Sequence, residues 1–404
     1  MPVLEQQRLF LAFIVLFLLS LTSTVQPGVD TSDQAKRQTA ISLFNQGKRL
    51  EALPVLEELA QKDPQDSEVL VALAASLVEH AATLTDADAA ARERFRARDL
   101  LQKAWRLGNT SPLAENLRQL LEELPANGVI KFSDNPAVEQ AMNAGEAAFA
   151  RREFDDALKN YAKALELDPA NYSAALFTAN AYDKKNELSK AAAWYERAMR
   201  LDPNVETAYR YYADMLAKQG DMARARSMLI HAAVAEPYNK IVWREIRAWA
   251  TINHTAFNIV FVAIPLPERA AATPSKQPAE LLPAWRIYYS VKEDWKNGGQ
   301  FQKQFPQEPE YRHSLLEESN ALAAAAQVLD RLKHDPKSSE KVAGDPSASL
   351  LLKLRDAGLL DAYVLFSLGD DEIARDYGAY RNKNRDKLET YMDKFVMPPA
   401  PAER

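Results

Sequence analysis

The sequence predicts an all-α fold, a superhelix of helical hairpins (an α-solenoid) followed by a smaller helical region, and three observations carry that reading. Hydrophobic residues make up 47% of 404 positions and only 12 are glycine, a balance that leans toward helix and excludes collagen-like or low-complexity chains. A spacing of 34 residues superimposes Ala157, Ala191 and Ala225, then Tyr161, Tyr195 and Leu229, then Ala164, Ala198 and Ala232. Acid–proline steps recur at the same spacing, Asp168-Pro169, Asp202-Pro203 and Glu236-Pro237, and each stops a helix because proline cannot continue one and disfavours helical backbone before it.

Taken from the N-terminus, the chain opens with an uncharged apolar stretch, residues 9–25, preceded by Arg8, the only basic residue of the first 35. Its intensely apolar part, residues 9–21, has the length of a signal-peptide core, and the whole stretch reaches the lower end of a membrane span. A cleaved signal peptide and a retained single anchor both fit. Either one places the body outside the cytoplasm, periplasmic or held at the inner membrane, with Arg8 left on the cytoplasmic side.

Residues 33–64 form a diverged copy of the repeat, with Ala40, Leu43, Ala52, Leu56, Leu59 and Pro64 on its columns. A broken copy follows, helices over 67–82 and 89–107 with Ala97, Leu101 and Ala104 as its alanine–large–alanine trio, separated by a long turn at 83–88. A further helix is expected over 112–124, then a linker over 125–135 whose 129–132 core fits a short strand. Three regular copies span 138–239. Their alanines let two helix axes approach, and the tyrosines fill the space between consecutive copies. One more helix, 240–250, caps the last apolar face.

The segments 145–169, GEAAFARREFDDALKNYAKALELDP, and 181–203, AYDKKNELSKAAAWYERAMRLDP, resemble the tetratricopeptide repeat family, and the chain as a whole looks like exported or membrane-anchored bacterial proteins of that family. The resemblance implies a concave groove lined by the first helix of each repeat at steps of three, four and three. It selects Glu139, Met142, Glu146 and Phe149, then Ser173, Leu176, Asn180 and Asp183, then Thr207, Arg210, Asp214 and Ala217, with Arg244 continuing the row in the cap. Some members clamp a C-terminal carboxylate with Lys and Asn, but Met142, Glu146 and Phe177 stand at those places, which disfavours that mode. The implied partner is an extended peptide or protein. A component of a cell-envelope secretion, pilus or polysaccharide-export assembly is a further role the resemblance allows.

Beyond the repeats, residues 258–264 are β-branched and aromatic and closed by prolines, which predicts a strand, paired with 129–132. Prolines at 265–278 mark a linker. Helices are expected over 279–296, 310–333, 347–357, 360–368 and 370–396, with a flexible polar loop at 334–346. The organisation is thus an export segment (1–25), diverged repeat-like helices (33–124), three repeats with a cap (136–250), strand and linker (251–278) and a helical C-terminal domain (279–396).

Composition and motifs restrict the chemistry. Fifty basic against 56 acidic residues give a net charge of −6, so no global cationic field attracts nucleic acid. The absence of cysteine removes thiol catalysis, disulfides and sulfur-ligated zinc. No phosphate loop, dinucleotide fingerprint or nucleophile elbow occurs, so no cofactor is implied. His313 and Glu317 stand four apart and would share a helix face, but two ligands do not make a metal site. A non-enzymatic scaffold is the favoured reading, the alternative being an enzyme or enzyme subunit with its chemistry in residues 279–396.

Overall fold

The computed structural model describes residues 31–122, 130–265 and 281–399; the segment 9–25 and most of the Pro-rich linker lie outside them. Among the described residues no helix is long and apolar enough to cross a membrane. The chain divides into two compact units, Met1–Pro203 and Asn204–Arg404, so the divide falls between the second and third regular repeats.

The first unit is a succession of antiparallel helical hairpins: α1 (Thr31–Asn45) with α2 (Arg49–Lys62), α3 (Ser67–Thr83) with α4 (Ala87–Arg106), α5 (Pro112–Glu122), α6 (Pro136–Ala150) with α7 (Phe154–Leu167), and α8 (Tyr172–Lys184) with α9 (Leu188–Leu201). The repeat columns become the contacts between helices. Ala157, Ala164, Ala191 and Ala198 are fully buried, as is Tyr161, and Tyr195 is nearly so. The diverged copies obey the same rule, with Ala52, Leu56, Ala97, Leu101 and Ala104 in one core with Leu73 and Leu77 of α3. The turn between α3 and α4 is shorter than expected. Asp86 accepts from Ala89 N at 2.7 Å and so caps α4 earlier than the apolar pattern indicates.

Every regular hairpin turns through one residue of left-handed backbone. Arg152 (φ 66°), Asn186 (φ 61°) and Gly220 (φ 81°) lie 34 apart, and Gly47 (φ 78°) does the same in the first hairpin. The residue after each donates its N–H back into the last turn, Glu153 N to Ala148 O and Glu187 N to Tyr182 O at 2.9 Å, so the helix-end carbonyls are satisfied. The step into the next repeat uses Asn171, which caps α8 by accepting from Ala174 N at 2.9 Å.

The second unit joins the third repeat, α10 (Glu206–Lys218) and α11 (Met222–Ala235), and its cap α12 (Lys240–Ile252) to the C-terminal helices. These are α13 (Leu282–Asn297), the short α14 (Gln300–Gln304), α15 (Leu315–Lys333), the short α16 (Ser339–Gly344), α17 (Pro346–Asp356), α18 (Leu360–Tyr363) and α19 (Ala374–Tyr391). Helix α15 is the hub, packed by α13, α17 and α18, while α19 lies against α11. The helix expected over 360–368 and the one over 370–396 each end in a widened π turn, Val364–Leu368 and Met392–Val396. Tyr391 stacks on Phe366 between these two turns, at 5.7 Å and 12°.

Two expectations are corrected in this unit. Residues 258–264 form no strand, and neither do residues 130–132; Val129 lies outside the described residues. Instead Asn258 N donates to Val396 O, Val262 N to the Tyr363 hydroxyl and Ala263 N to Ser347 Oγ, so the β-prone segment is pinned to helix side chains and ends, with no second strand to ladder with. The polar stretch 334–346 is not a loop throughout, because Val342 is buried and anchors α16. Tyr209, Tyr211 and Tyr212 fall within one helix turn, too close together for all three to point inward from one face, yet all three are buried, with the Arg210 guanidinium 4.7 Å over the Tyr211 ring.

Candidate functional site

In the first unit, the expected groove positions on α6 and α8 divide into two classes. Glu139 is half-buried and works locally: its carboxylate accepts from Phe132 N (2.7 Å), Ser133 N (2.9 Å) and the Asn143 amide (3.1 Å), tying the incoming chain to α6. Met142 is fully buried. Glu146, half-buried, accepts the Tyr161 hydroxyl at 2.5 Å, and Asn180 accepts the Tyr195 hydroxyl at 2.7 Å in the next repeat. The repeat tyrosine thus anchors its ring in the core and its hydroxyl on the third groove position of the first helix. Phe149 is buried edge-on against Phe154 (5.3 Å), and Asp183 is half-buried.

The structure therefore corrects the expectation for Met142, Phe149 and Asn180, which are covered rather than solvent-facing. Helix α8 is buried continuously from Ser173 to Ala181, Leu176 included. Its sequence held the signal: between Tyr172 and Tyr182 there is no charged residue, and its polar groups are small. Thr178 bonds back to Ala174 O at 2.7 Å, so it needs no water.

In the second unit the third repeat departs from the pattern. Leu229 replaces the tyrosine, and Asp214 pairs instead with Lys218 one turn on, at 2.5 Å. Thr207 is buried and Ala217 half-buried. Arg210 is also corrected: it is 3% exposed, with Nε 2.7 Å from Glu206 and Nη1 3.1 Å from Glu245 of α12. Burial works against its charge, but the two carboxylates hold its pKa well above the ordinary range. Burial pushes the Glu245 carboxyl up, against the pull of Arg210. An arginine so committed fastens the cap to the repeat and is not available to a partner. Arg244 is half-buried beside this group.

A second polar constellation lies among the C-terminal helices. Ser314 caps α15 by accepting from Glu317 N at 3.2 Å, so His313 precedes the helix and does not share a face with Glu317 as expected. Its ring instead reaches Glu318 through Nε2 (2.9 Å) and Asp370 through Nδ1 (2.8 Å). Lys292 of α13 stands 2.5 Å from Glu318 and 2.7 Å from His313 Nε2, and the Tyr288 hydroxyl donates to Glu318 at 2.5 Å. Burial would raise the Glu318 pKa, but donors from His313, Lys292 and Tyr288 bring it down to about 2. Burial raises that of Glu317, although Tyr311 donates to it at 3.0 Å. No group of three or more histidine and carboxylate side chains among the described residues has the arrangement to hold a metal ion.

Residues 142–206 match the family model described as Tetratricopeptide repeat. Within that span the helical hairpins are tetratricopeptide repeats. No curated protein matches the chain. Among solved structures the chain is similar to MamA from Desulfovibrio magneticus RS-1, with 17% identity over 55% of this chain and 98% of that one and a TM-score of 0.22. It is similar also to a thermophilic TPR protein of Thermus thermophilus, at 15% identity over 54% and 99% with a TM-score of 0.25. A third is pilF of Pseudomonas aeruginosa, at 15% identity over 69% and 97% with a TM-score of 0.26. Tetratricopeptide repeats are a protein-interaction architecture, since stacking hairpins builds an extended surface without any catalytic apparatus.

Proposed function

We propose that the chain is a non-enzymatic scaffold that holds an extended peptide or protein partner on the first helices of its tetratricopeptide repeats, outside the cytoplasm. The observation that supports it is the repeat architecture, with the half-buried Glu139, Glu146 and Asp183 on α6 and α8 and Asp214 and Arg244 on α10 and α12. Glu139 and Glu146 are tied to structural bonds and Asp214 pairs with Lys218, so the reading assigns recognition to Asp183 and Arg244, the charged groove positions of α8 and α12. A carboxylate accepts from a partner's amide or basic side chain, and an arginine forks onto a carboxylate. The apolar segment 9–25 supports the location.

The test is a crosslinking pull-down of the exported body from its native cells, comparing the wild-type chain with Asp183→Arg combined with Arg244→Glu. The expected result is capture weakened by about 1–3 kcal/mol, the usual scale for charged interface anchors, with unchanged melting. Undiminished capture by a variant that melts normally overturns the groove reading.

A further inference from the structure

The cluster around His313 is not explained by a scaffold. It joins four elements of the second unit: Lys292 and Tyr288 on α13, Tyr311 and Arg312 in the segment before α15, Glu317 and Glu318 on α15, and Asp370 and Glu372 in the loop that opens α19. The loop and the first turn of α19 are held to the α13–α15 pair by several bonds, among them Leu315 N to Asp376 at 2.8 Å. His313 Nδ1 meets Asp370 at 2.8 Å, His313 N donates to Glu372 at 2.7 Å, and Arg312 forks onto Asp376 with Nη2 at 2.7 Å. Further along, α19 is tied to α11 by Tyr377 to Val234 O (2.6 Å), Glu389 to His231 (2.9 Å) and Arg381 to Ala235 O. The histidine therefore sits at the end of α19 where the helix begins.

Both imidazole nitrogens face carboxylate oxygens. Ionised carboxylates only accept, so with both nitrogens protonated the ring donates to Glu318 and Asp370 at once, and Lys292 Nζ, 2.7 Å from Nε2, is the one group that opposes its charge. We propose that His313 is a pH-operated latch, whose imidazolium clamps the loop opening α19 to the α13–α15 pair and whose loss of a proton frees that loop.

In the neutral state Nδ1–H still donates to the Asp370 carboxylate, but the bond has lost its cationic donor and with it the ion-pair attraction, and bare Nε2 accepts from Lys292, 2.7 Å away. Lys292 thereby holds α13 and α15 together in either state, so the change falls on the loop. Glu317, Glu318, Asp370 and Glu372 then face Lys292 as the one remaining cation of the immediate cluster, Arg312 being spent on Glu308 and Asp376. Their mutual repulsion acts across the joint that the imidazolium had closed. Tyr288 and Tyr311 keep their protons, since burial and the neighbouring glutamates hold both hydroxyls above the ordinary tyrosine value. Tyr238, which lies near Asp370 and Asp376, is likewise pushed up, to about 12, by burial first and then by those carboxylates.

The sign of the effect follows from the histidine. Burial lowers its pKa and Lys292 opposes its charge, but the bonds to Glu318 and Asp370 win and raise it above 6.5. A group with a raised pKa in the folded state contributes its full stability below 6.5 and loses it as pH rises through the raised value. The latch is closed in mild acid and opens as the medium becomes alkaline.

Hydrogen exchange of the full chain, followed in the peptide covering residues 365–380 and corrected for intrinsic rates, tests this between about pH 5.5 and pH 8.5. The wild type should be more protected at the acid end, by about tenfold for each unit by which folding raises the imidazole pKa. His313→Gln should abolish the pH dependence. Asp370→Asn should move the midpoint of the His313 ring-proton titration in NMR spectra to lower pH, which a purely structural role would not do. Protection independent of pH in the wild type, a persisting pH dependence in His313→Gln, or an unmoved midpoint in Asp370→Asn each overturns the latch.

Discussion

Arg152, Asn186 and Gly220 have nothing chemical in common, yet they occupy one column because the hairpin turn needs left-handed backbone there. A search for matching side chains passes over such a column, since what repeats is a φ angle. Only glycine adopts it without strain, and a residue with a Cβ is penalised by about 1–2 kcal/mol. At Gly220 a Cβ would meet nothing within 4 Å, so Gly220→Ala isolates the backbone contribution. Denaturant unfolding should show a loss of about 1 kcal/mol, after the smaller entropy of the unfolded alanine chain is set against the strain. The reverse change, Arg152→Gly, should leave stability equal or higher by up to about 1 kcal/mol, less whatever its guanidinium contributes at an exposed site. Equal and opposite signs to these would show that φ does not govern the turn. Arg210 makes a related point. Its place in the row of groove positions was correct as arithmetic, but Glu206 one turn before it and Glu245 on the cap turn it inward.

Whole helices were far more legible than single side chains. The alanine columns at 157, 191 and 225 and at 164, 198 and 232 name contacts that are fully buried, because close axial approach admits nothing larger. Ala191→Glu would force a charge between α8 and α9 and should cost several kcal/mol, read as a fall in melting temperature. Lys163→Glu on the exposed face of α7 should change stability by less than about 0.5 kcal/mol. Similar melting of the two variants would contradict the assigned packing. What the sequence pattern did not convey was the fate of segments whose partners are distant. Residues 258–264 have strand-forming side chains but donate their backbone hydrogen bonds to Tyr363, Ser347 and Val396, which no local pattern announces. Helix α16 rests on a single buried valine, and α14 on Phe301 packed against Phe305 and Tyr311. The start of α15 shifts by five residues from its expected place at Glu310, and that shift takes His313 off the helix and into the cluster with Glu318 and Asp370.

At the scale of the whole chain, the remaining proposal is where the body resides, and it rests on residues 9–25 alone. Seventeen uncharged residues, apolar almost throughout, are expensive to leave in water, and they come with a single arginine on the N-terminal side and no basic residue again until Lys36. That asymmetry orients an export segment with its N-terminus inside, so everything after about residue 26 would follow it across. The body tolerates an oxidising compartment, having no cysteine to mispair, and none of its described helices offers a second apolar span that would reverse the orientation. Residues 1–35 fused to a reporter that works only outside the cytoplasm should therefore give activity, and replacing Leu16 and Leu18 by Arg should abolish it, because each charge at the centre of the apolar stretch costs about 2.5–3.5 kcal/mol of insertion. Activity confined to a cytoplasmic reporter would remove the location from the proposed function while leaving the repeat scaffold as it stands. Where export is seen, mass spectrometry of the mature N-terminus separates the two forms: a start near Gln26 means a released body, and an intact Met1 means one held at the membrane.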